Sequence, residues 1–316
     1  MKITYFGSAE FGIPCLDAIK NSKHELAGIF TQPAHGAGRG RKPRPTHVAQ
    51  WAERNGYECV EAENINRPEM VERVRACGGD LLVVIAFGQK IGPEVIEMHE
   101  KGAINVHASL LPKYRGAAPI NWAIVNGETE TGVSIITLAD KMDAGYVLGE
   151  GKVAIDADDT AEDVHDKLAE LSPGVLMDVI GQIEAGTAKY VEQDEDRVTI
   201  ARKLKKSDGQ VDFDRPAEQV RNMVRGFWPW PGAKADYVSA KTGKKDRVTL
   251  AQVRVVEDAG SDGEPGVIDD EFHVQCGAGK LDIVKLKPAG KRLMNWEAFC
   301  NGRHTQPGDK FVKIED

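Results

Sequence analysis

Seven consecutive apolar residues, Leu81-Leu82-Val83-Val84-Ile85-Ala86-Phe87, constrain this chain's fold more than any other feature. The run falls far short of the ~20 residues needed to cross a bilayer, and it suits a strand whose two faces are both covered by helices. Residues 80–87 therefore read as a central strand, and the flanking sequence supports this. Strand-like segments at 2–6, 25–31 and 103–107 alternate with helix-like segments at 13–20, 46–55, 67–77 and 92–98. Thr46 is placed to cap the second helix, and Pro68 sits in the first turn of the third. Such alternation predicts an α/β fold with a mostly parallel, doubly wound sheet and right-handed crossovers. Residues 132–138 and 147–155 follow as antiparallel additions. A long helix is expected over 160–184, with Val164, Leu168, Leu171, Val175, Val179 and Ile183 at helical spacing. Pro173-Gly174 is expected to kink it or split it in two.

A length of 316 residues favours two domains, each able to bury its own core. The character of the chain changes after residue 194. A charged stretch leads to the turn Ser207-Asp208-Gly209, then an amphipathic helix over 216–225. Short strands follow at 233–238, 247–256, 266–268, 272–276 and 280–286, as in a small barrel or sandwich. The boundary is placed near residue 205, giving domains 1–204 and 205–316. The opening segment reads directly as a strand with no signal-peptide apolar region, and the five cysteines are odd in number and form no C-x-x-C. A reducing cytoplasm is expected, with no membrane span, no disulfide framework and no structural zinc.

The net charge of −8 conceals an uneven distribution. Residues 150–196 hold 14 Asp or Glu against three Lys, so the remainder of the chain is net positive. Within that remainder lie three basic clusters: Arg39, Arg41, Lys42 and Arg44; Arg202, Lys203, Lys205 and Lys206; and Lys280, Lys285, Lys287, Lys291 and Arg292. Any one of them reads as solvated surface, while the three together make a polyanionic partner plausible.

Four constellations stand out. Phe6-Gly7-Ser8-Ala9-Glu10-Phe11-Gly12 is a tight strand-to-helix turn without a dinucleotide or P-loop fingerprint. Asn105 and His107 alternate along an otherwise apolar strand, so both project from one face. At the carboxyl end of an α/β strand such groups usually face the ligand crevice, although a satisfied buried pair would look the same. The loop Ser109-Leu110-Leu111-Pro112-Lys113-Tyr114-Arg115-Gly116 interleaves polar and apolar residues, which suits the wall of a pocket for a flat ligand. Asp143, in the turn after residues 132–138 and followed by small residues, could reach back to His107, although alone it reads as a surface turn aspartate. Phe227-Trp228-Pro229-Trp230-Pro231-Gly232 forms a rigid aromatic corner, more structural than functional.

Taken together, these residues resemble the methionyl-tRNA formyltransferase family, nearly end to end. Phe6–Phe11 with Pro14, Asn105-x-His107, Ser109-Leu110-Leu111-Pro112-x-Tyr114-Arg115-Gly116 and Met142-Asp143-x-Gly145 are similar to the motifs of folate-dependent formyltransferases in general. Alone they fit a glycinamide ribonucleotide or sugar-nucleotide formyltransferase equally well. The basic loop over 36–43 and the C-terminal segment from Asp208-Gly209 to Trp228-Pro229-Trp230-Pro231-Gly232 favour the tRNA branch. One departure is Ser8-Ala9, where the family often has Thr-Pro, and little consequence is expected.

The resemblance implies a Rossmann-like formyltransferase domain followed by an OB-like β-barrel. It also implies transfer of the formyl group of 10-formyltetrahydrofolate to the α-amino group of methionine on initiator methionyl-tRNA, with no metal. Asn105, His107 and Asp143 would be catalytic. Ser109, Leu110, Leu111 and Pro112 would bind the folate, with the pterin against the apolar wall of residues 81–87. Arg39, Arg41, Lys42, Arg44, Lys205 and Lys206 would contact tRNA. The loop over 36–43, with three glycines in five positions and no acidic neighbour, is expected to order only on the tRNA. The protein is expected to act as a monomer. A small-molecule formyltransferase or a formyl-folate hydrolase would keep the three catalytic residues and have no use for the basic loop or the barrel.

Overall fold

The computed structural model describes residues 1–37, 42–256, 260 and 263–314. Its main sheet has seven strands, in the order Val147–Ala154, Glu130–Thr137, Ala103–His107, Leu81–Ile85, Lys2–Gly7, Glu25–Thr31, Val60–Glu61. The five strands from Ala103–His107 to the Val60–Glu61 edge pair in parallel, and Glu130–Thr137 joins antiparallel to Ala103–His107. This is the expected doubly wound architecture with antiparallel additions. All five residues of Leu81–Ile85 are buried, as the apolar run requires. Phe6 packs with Phe30 and Phe87 at ring-centroid distances of 5.0 and 5.1 Å, filling the core on one side of the sheet. The Thr46 hydroxyl accepts the Ala49 N–H at 3.1 Å and starts the helix His47–Asn55.

Several elements differ from the expectation. The helix Ala161–Ala185 runs unbroken across Pro173. Leu168, Leu176, Val179 and Ile180 are buried on both sides of the proline. Burial of ~1.5–3 kcal/mol per such side chain outweighs the ~3 kcal/mol that an interior proline costs. The two-residue strand Val60–Glu61 is too short to leave a period-2 signature. Of the segment 36–43, expected to order only on tRNA, the described residues pair as part of two short strands, His35–Ala37 antiparallel to Lys42–Arg44. Arg39 and Arg41 lie outside the described residues.

Packing separates the chain into two units. The first comprises Met1–Gly116, Thr131–Val153 and His165–Ile200. The second gathers Ala201–Asp316 together with Ala117–Glu130 and Ala154–Val164. In this second unit the helix Pro119–Val125, absent from the sequence reading, is held by tertiary contacts. Its Trp122 meets Phe227 edge-on at 5.6 Å, and Asn121 Nδ2 donates to the Gly226 carbonyl at 2.8 Å.

The second unit's sheet runs Val274–Gln275, Lys280–Pro288, Lys245–Val256, Ala233–Val238, Lys310–Val312. Ala233, Ala235 and Tyr237 alternate inward against Val248, Leu250, Phe299 and Phe311. Val267 bridges Lys310 and Ile268 bridges Val274, so one short segment touches both end strands and nearly closes the sheet into an OB-like barrel. The helix Trp296–Arg303 and the strand Lys310–Val312 were not expected.

Candidate active site

The strand Ala103–His107 lies between a parallel and an antiparallel neighbour, with Asn105 opposite Val84 and Ile136, and His107 opposite Ser134. Its carboxyl end therefore sits where open α/β sheets place their ligands. Asn105 is half-buried, and its amide has no hydrogen-bond partner among the described residues. His107 is buried, and its Nε2 donates to the Tyr114 carbonyl at 2.9 Å. A carbonyl only accepts, so that nitrogen carries its proton, and proton exchange falls to Nδ1. Nδ1 lies 3.6 Å from Asp143 Oδ2. The same carboxylate oxygen accepts the Gly116 N–H at 2.8 Å.

Both contacts come from strained turns. Tyr114 and Asp143 have φ of 62° and 53°, a left-handed region that non-glycine residues seldom adopt. Thr199 helps to hold the first turn, its hydroxyl accepting the Tyr114 N–H at 2.8 Å and its carbonyl the Arg115 N–H at 2.9 Å. The second turn is fixed at Gly145, where an added Cβ would lie 1.8 Å from the Thr137 carbonyl oxygen.

Residues 109–112 adjoin this centre, but not all of them are free to bind. The buried Ser109 hydroxyl donates to the Lys113 carbonyl at 2.7 Å. Ser134 Oγ accepts the Leu111 N–H at 3.1 Å and lies 2.8 Å from the Ser109 carbonyl and 3.0 Å from Glu150 Oε1. Ser109 and buried Leu111 thus brace the loop, while Leu110 and Pro112 keep some exposed surface. The expected apolar wall is likewise taken up by the protein's own core, since residues 81–85 and Phe87 are buried. What the end of that strand presents outward is Ala86 and Gly88, both exposed and both with positive φ. Ser8, in the first strand-to-helix turn, accepts the Gln32 N–H at 3.1 Å and acts as a brace.

The sequence reading missed a buried network behind Asp143. Arg115, within the Tyr114-Arg115-Gly116 motif, is buried and forks onto Glu195, with Nη2 2.7 Å from Oε1. Its Nε donates to Gln193 Oε1 at 3.0 Å. A buried arginine needs a partner, which was the available signal, but nothing local pointed to residues 193 and 195.

The basic residues divide. Arg44, Lys205 and Lys206 are exposed, and Lys42 falls in a hairpin strand. Arg202 is committed to Asp208, with Nη2 2.6 Å from Oδ1, and lies over the Trp122 ring at 4.7 Å. Lys280 is paired with Asp269 at 2.9 Å. In the aromatic corner, Phe227 is core and Trp230 is exposed. Among the described residues, no group of three or more His, Cys, Asp or Glu is placed to hold a metal ion, and no helix is long and apolar enough to cross a membrane.

Comparison with known proteins places the chain in a family. The formyl transferase family matches residues 1–180, and the formyl transferase C-terminal domain matches residues 203–304. A methionyl-tRNA formyltransferase from Symbiobacterium thermophilum is 37% identical over 320 residues, covering 100% of this chain and 96% of its own. One from Geobacter metallireducens is 35% identical, covering 98% and 97%. The solved structure of the sugar 3N-formyl transferase WlaRD, with dTDP and 5-N-formyl-THF, superposes with a TM-score of 0.65 at 17% identity, covering 92% of this chain and 99% of its own. HypX from Aquifex aeolicus, in complex with tetrahydrofolic acid, gives 0.59 at 17% identity over 100% of this chain and 51% of its own. At such identity the two structures speak for the fold, and the full-length relatives speak for the branch. The chain belongs to the formyl transferase family, among the methionyl-tRNA formyltransferases.

Proposed function

We propose that the protein transfers the formyl group of 10-formyltetrahydrofolate to the α-amino group of methionine on initiator tRNA, and that Asn105, His107 and Asp143 carry the transfer. The observation that carries this reading is the unpartnered, half-buried Asn105 amide beside the His107–Asp143 pair. Half-exposed at the carboxyl end of the sheet, that amide can donate to a bound ligand. The amine attacks the formyl carbon, already activated on the folate nitrogen, and negative charge develops on the formyl oxygen; collapse of the adduct breaks the bond to the folate nitrogen, which takes up the proton lost by the amine. The Asn105 N–H stabilises that charge, a contribution typically of about 3–4 kcal/mol for a preorganised donor. His107 exchanges a proton at Nδ1, because Nε2 is held by the Tyr114 carbonyl. Positive charge arising on the ring is favoured by Asp143, whose carboxylate is held in place by the Gly116 N–H.

In this reading Leu110 and Pro112, with the exposed edge at Ala86 and Gly88, receive the folate, while Ser109 and Leu111 hold the loop in shape. Residues 1–204 carry the chemistry. Residues 205–316 engage tRNA through Lys205, Lys206 and neighbouring cations, and Arg39, Arg41, Lys42 and Arg44 approach the acceptor end. The enzyme works as a cytoplasmic monomer. The test is incubation with 10-formyltetrahydrofolate and an equimolar mixture of methionyl-tRNA and an amino-sugar nucleotide. Formyl-methionine recovered from the tRNA end supports the reading. Formylation of the sugar alone, or release of formate alone, overturns it in favour of a small-molecule transferase or a hydrolase.

A further inference from the structure

We infer that Gln193, backed by Arg115, is a positioning residue for the Asp143 carboxylate; this rests on the reading of Asn105, His107 and Asp143 as the transfer site. A primary amide has two N–H donors and a carbonyl acceptor, and Gln193 commits all three. Its Nε2 donates to the Asp143 carbonyl at 2.8 Å and to the Gly145 carbonyl at 2.7 Å. Its Oε1 accepts the Arg115 Nε–H at 3.0 Å. The side chain is buried, so none of these bonds is exchanged cheaply for water.

What Gln193 joins is specific. Residues 114–116 supply both backbone contacts of the catalytic pair: the Tyr114 carbonyl holds His107 and the Gly116 N–H holds Asp143. Arg115 lies between those two residues, and its side chain reaches Gln193, which grips the turn carrying Asp143. Gln193 and Arg115 therefore form a side-chain link between the two backbone segments that set the His107–Asp143 distance. That link is needed because Asp143 sits in a left-handed conformation at the end of a turn whose preceding residues, Asp140, Lys141 and Met142, are exposed. Glu195 anchors the far end. Its carboxyl is held below the usual carboxylate range by the hydrogen bond from Arg115, so the fork stays ionised at neutral pH.

Gln193 acts through Asp143, and the test uses that dependence. Gln193→Glu keeps the shape and the acceptor for Arg115. It removes both donors and sets a carboxylate oxygen against the carbonyls of Asp143 and Gly145. The full-length variant is expected to lose about 10- to 100-fold in kcat, the usual cost of a misplacement near 1 Å, with KM for formyl-folate and methionyl-tRNA changed by less than about threefold. On an Asp143→Asn background, where there is no charge to position, the same substitution should cost less than about threefold. Arg115→Lys, which keeps a cation for Glu195 and loses the Nε–H donated to Gln193, provides a second variant if Gln193→Glu does not fold. It should show the same dependence on Asp143. Unchanged kcat in a folded variant, or an equal loss on both backgrounds, overturns the inference. Failure of the unmodified protein to formylate methionyl-tRNA would instead overturn the functional reading on which the inference rests.

Discussion

Replacing Asp143 with Asn isolates charge from shape at the site. The Asn amide oxygen can still accept the Gly116 N–H, which in the native protein is 2.8 Å from Oδ2. What disappears is one negative charge 3.6 Å from His107 Nδ1, between side chains only 7% and 15% exposed. At that separation a unit charge pair is worth about 1 kcal/mol at a dielectric constant near 80 and about 5 kcal/mol near 20. If the charge acts only as the imidazole gains its proton, the whole of this difference appears in the barrier, bounding the loss between about 5-fold and about 2000-fold. Both side chains are mostly shielded from solvent, which places the expected loss near 100-fold in kcat. The assay is single-turnover formylation of methionyl-tRNA under saturating formyl-folate, with a thermal melt to verify folding. A variant that melts normally and turns over within about threefold of the native rate would refute the electrostatic role and leave Asp143 as a turn-forming residue.

Gly145→Ala should disturb the same turn from the other side, since its Cβ would lie 1.8 Å from the Thr137 carbonyl oxygen; steady-state kinetics should show kcat falling by about 100-fold while formyl-folate still binds. Replacing Arg39, Arg41 and Lys42 together with Ala should raise KM for methionyl-tRNA and flatten its salt dependence, with the folate KM unmoved; unchanged tRNA kinetics at two salt concentrations would leave the loop without a role. Burial pushes the Cys15, Cys59 and Cys276 thiols up to about 12 and Cys300 to about 11. These groups stay protonated at neutral pH, so iodoacetamide at pH 7 should label them slowly without loss of formyl transfer, and rapid inactivation would show that a thiolate takes part.

The parts of the fold that could be read in advance were those in which burial writes a period into the chain. Leu81–Ile85 is apolar throughout because helices cover both faces, and the expected boundaries of Lys2–Gly7, Glu25–Thr31 and Ala103–His107 lie within a residue of those observed. The candidate residues Asn105 and His107 stood out for the complementary reason, as polar groups where only apolar ones serve the core. Elements stabilised by tertiary contact left no such mark. Pro119–Val125 is a short helix that depends on Phe227 and Gly226, about 100 positions away. Pro173 carried a true local signal for a break, but its helix continues through it with buried side chains on either side. Composition changes near residue 205, yet a one-dimensional boundary cannot represent Ala117–Glu130 and Ala154–Val164 packing with the second unit. Gln193 was invisible for the same reason. It sits in an acidic surface-like stretch, and its partner Arg115 lies 78 residues away.

The central claim is that Asn105 and His107 act on the charge of the transition state and contribute little to binding. The most direct test compares Asn105→Ala and His107→Ala with the native protein in formyl transfer to methionyl-tRNA, alongside the dissociation constant for formyl-folate. Each variant should fold normally, bind formyl-folate within about threefold of native affinity and turn over about 100-fold or more slowly. Near-native turnover in either folded variant, or a loss that appears entirely as weaker folate binding, would contradict the account.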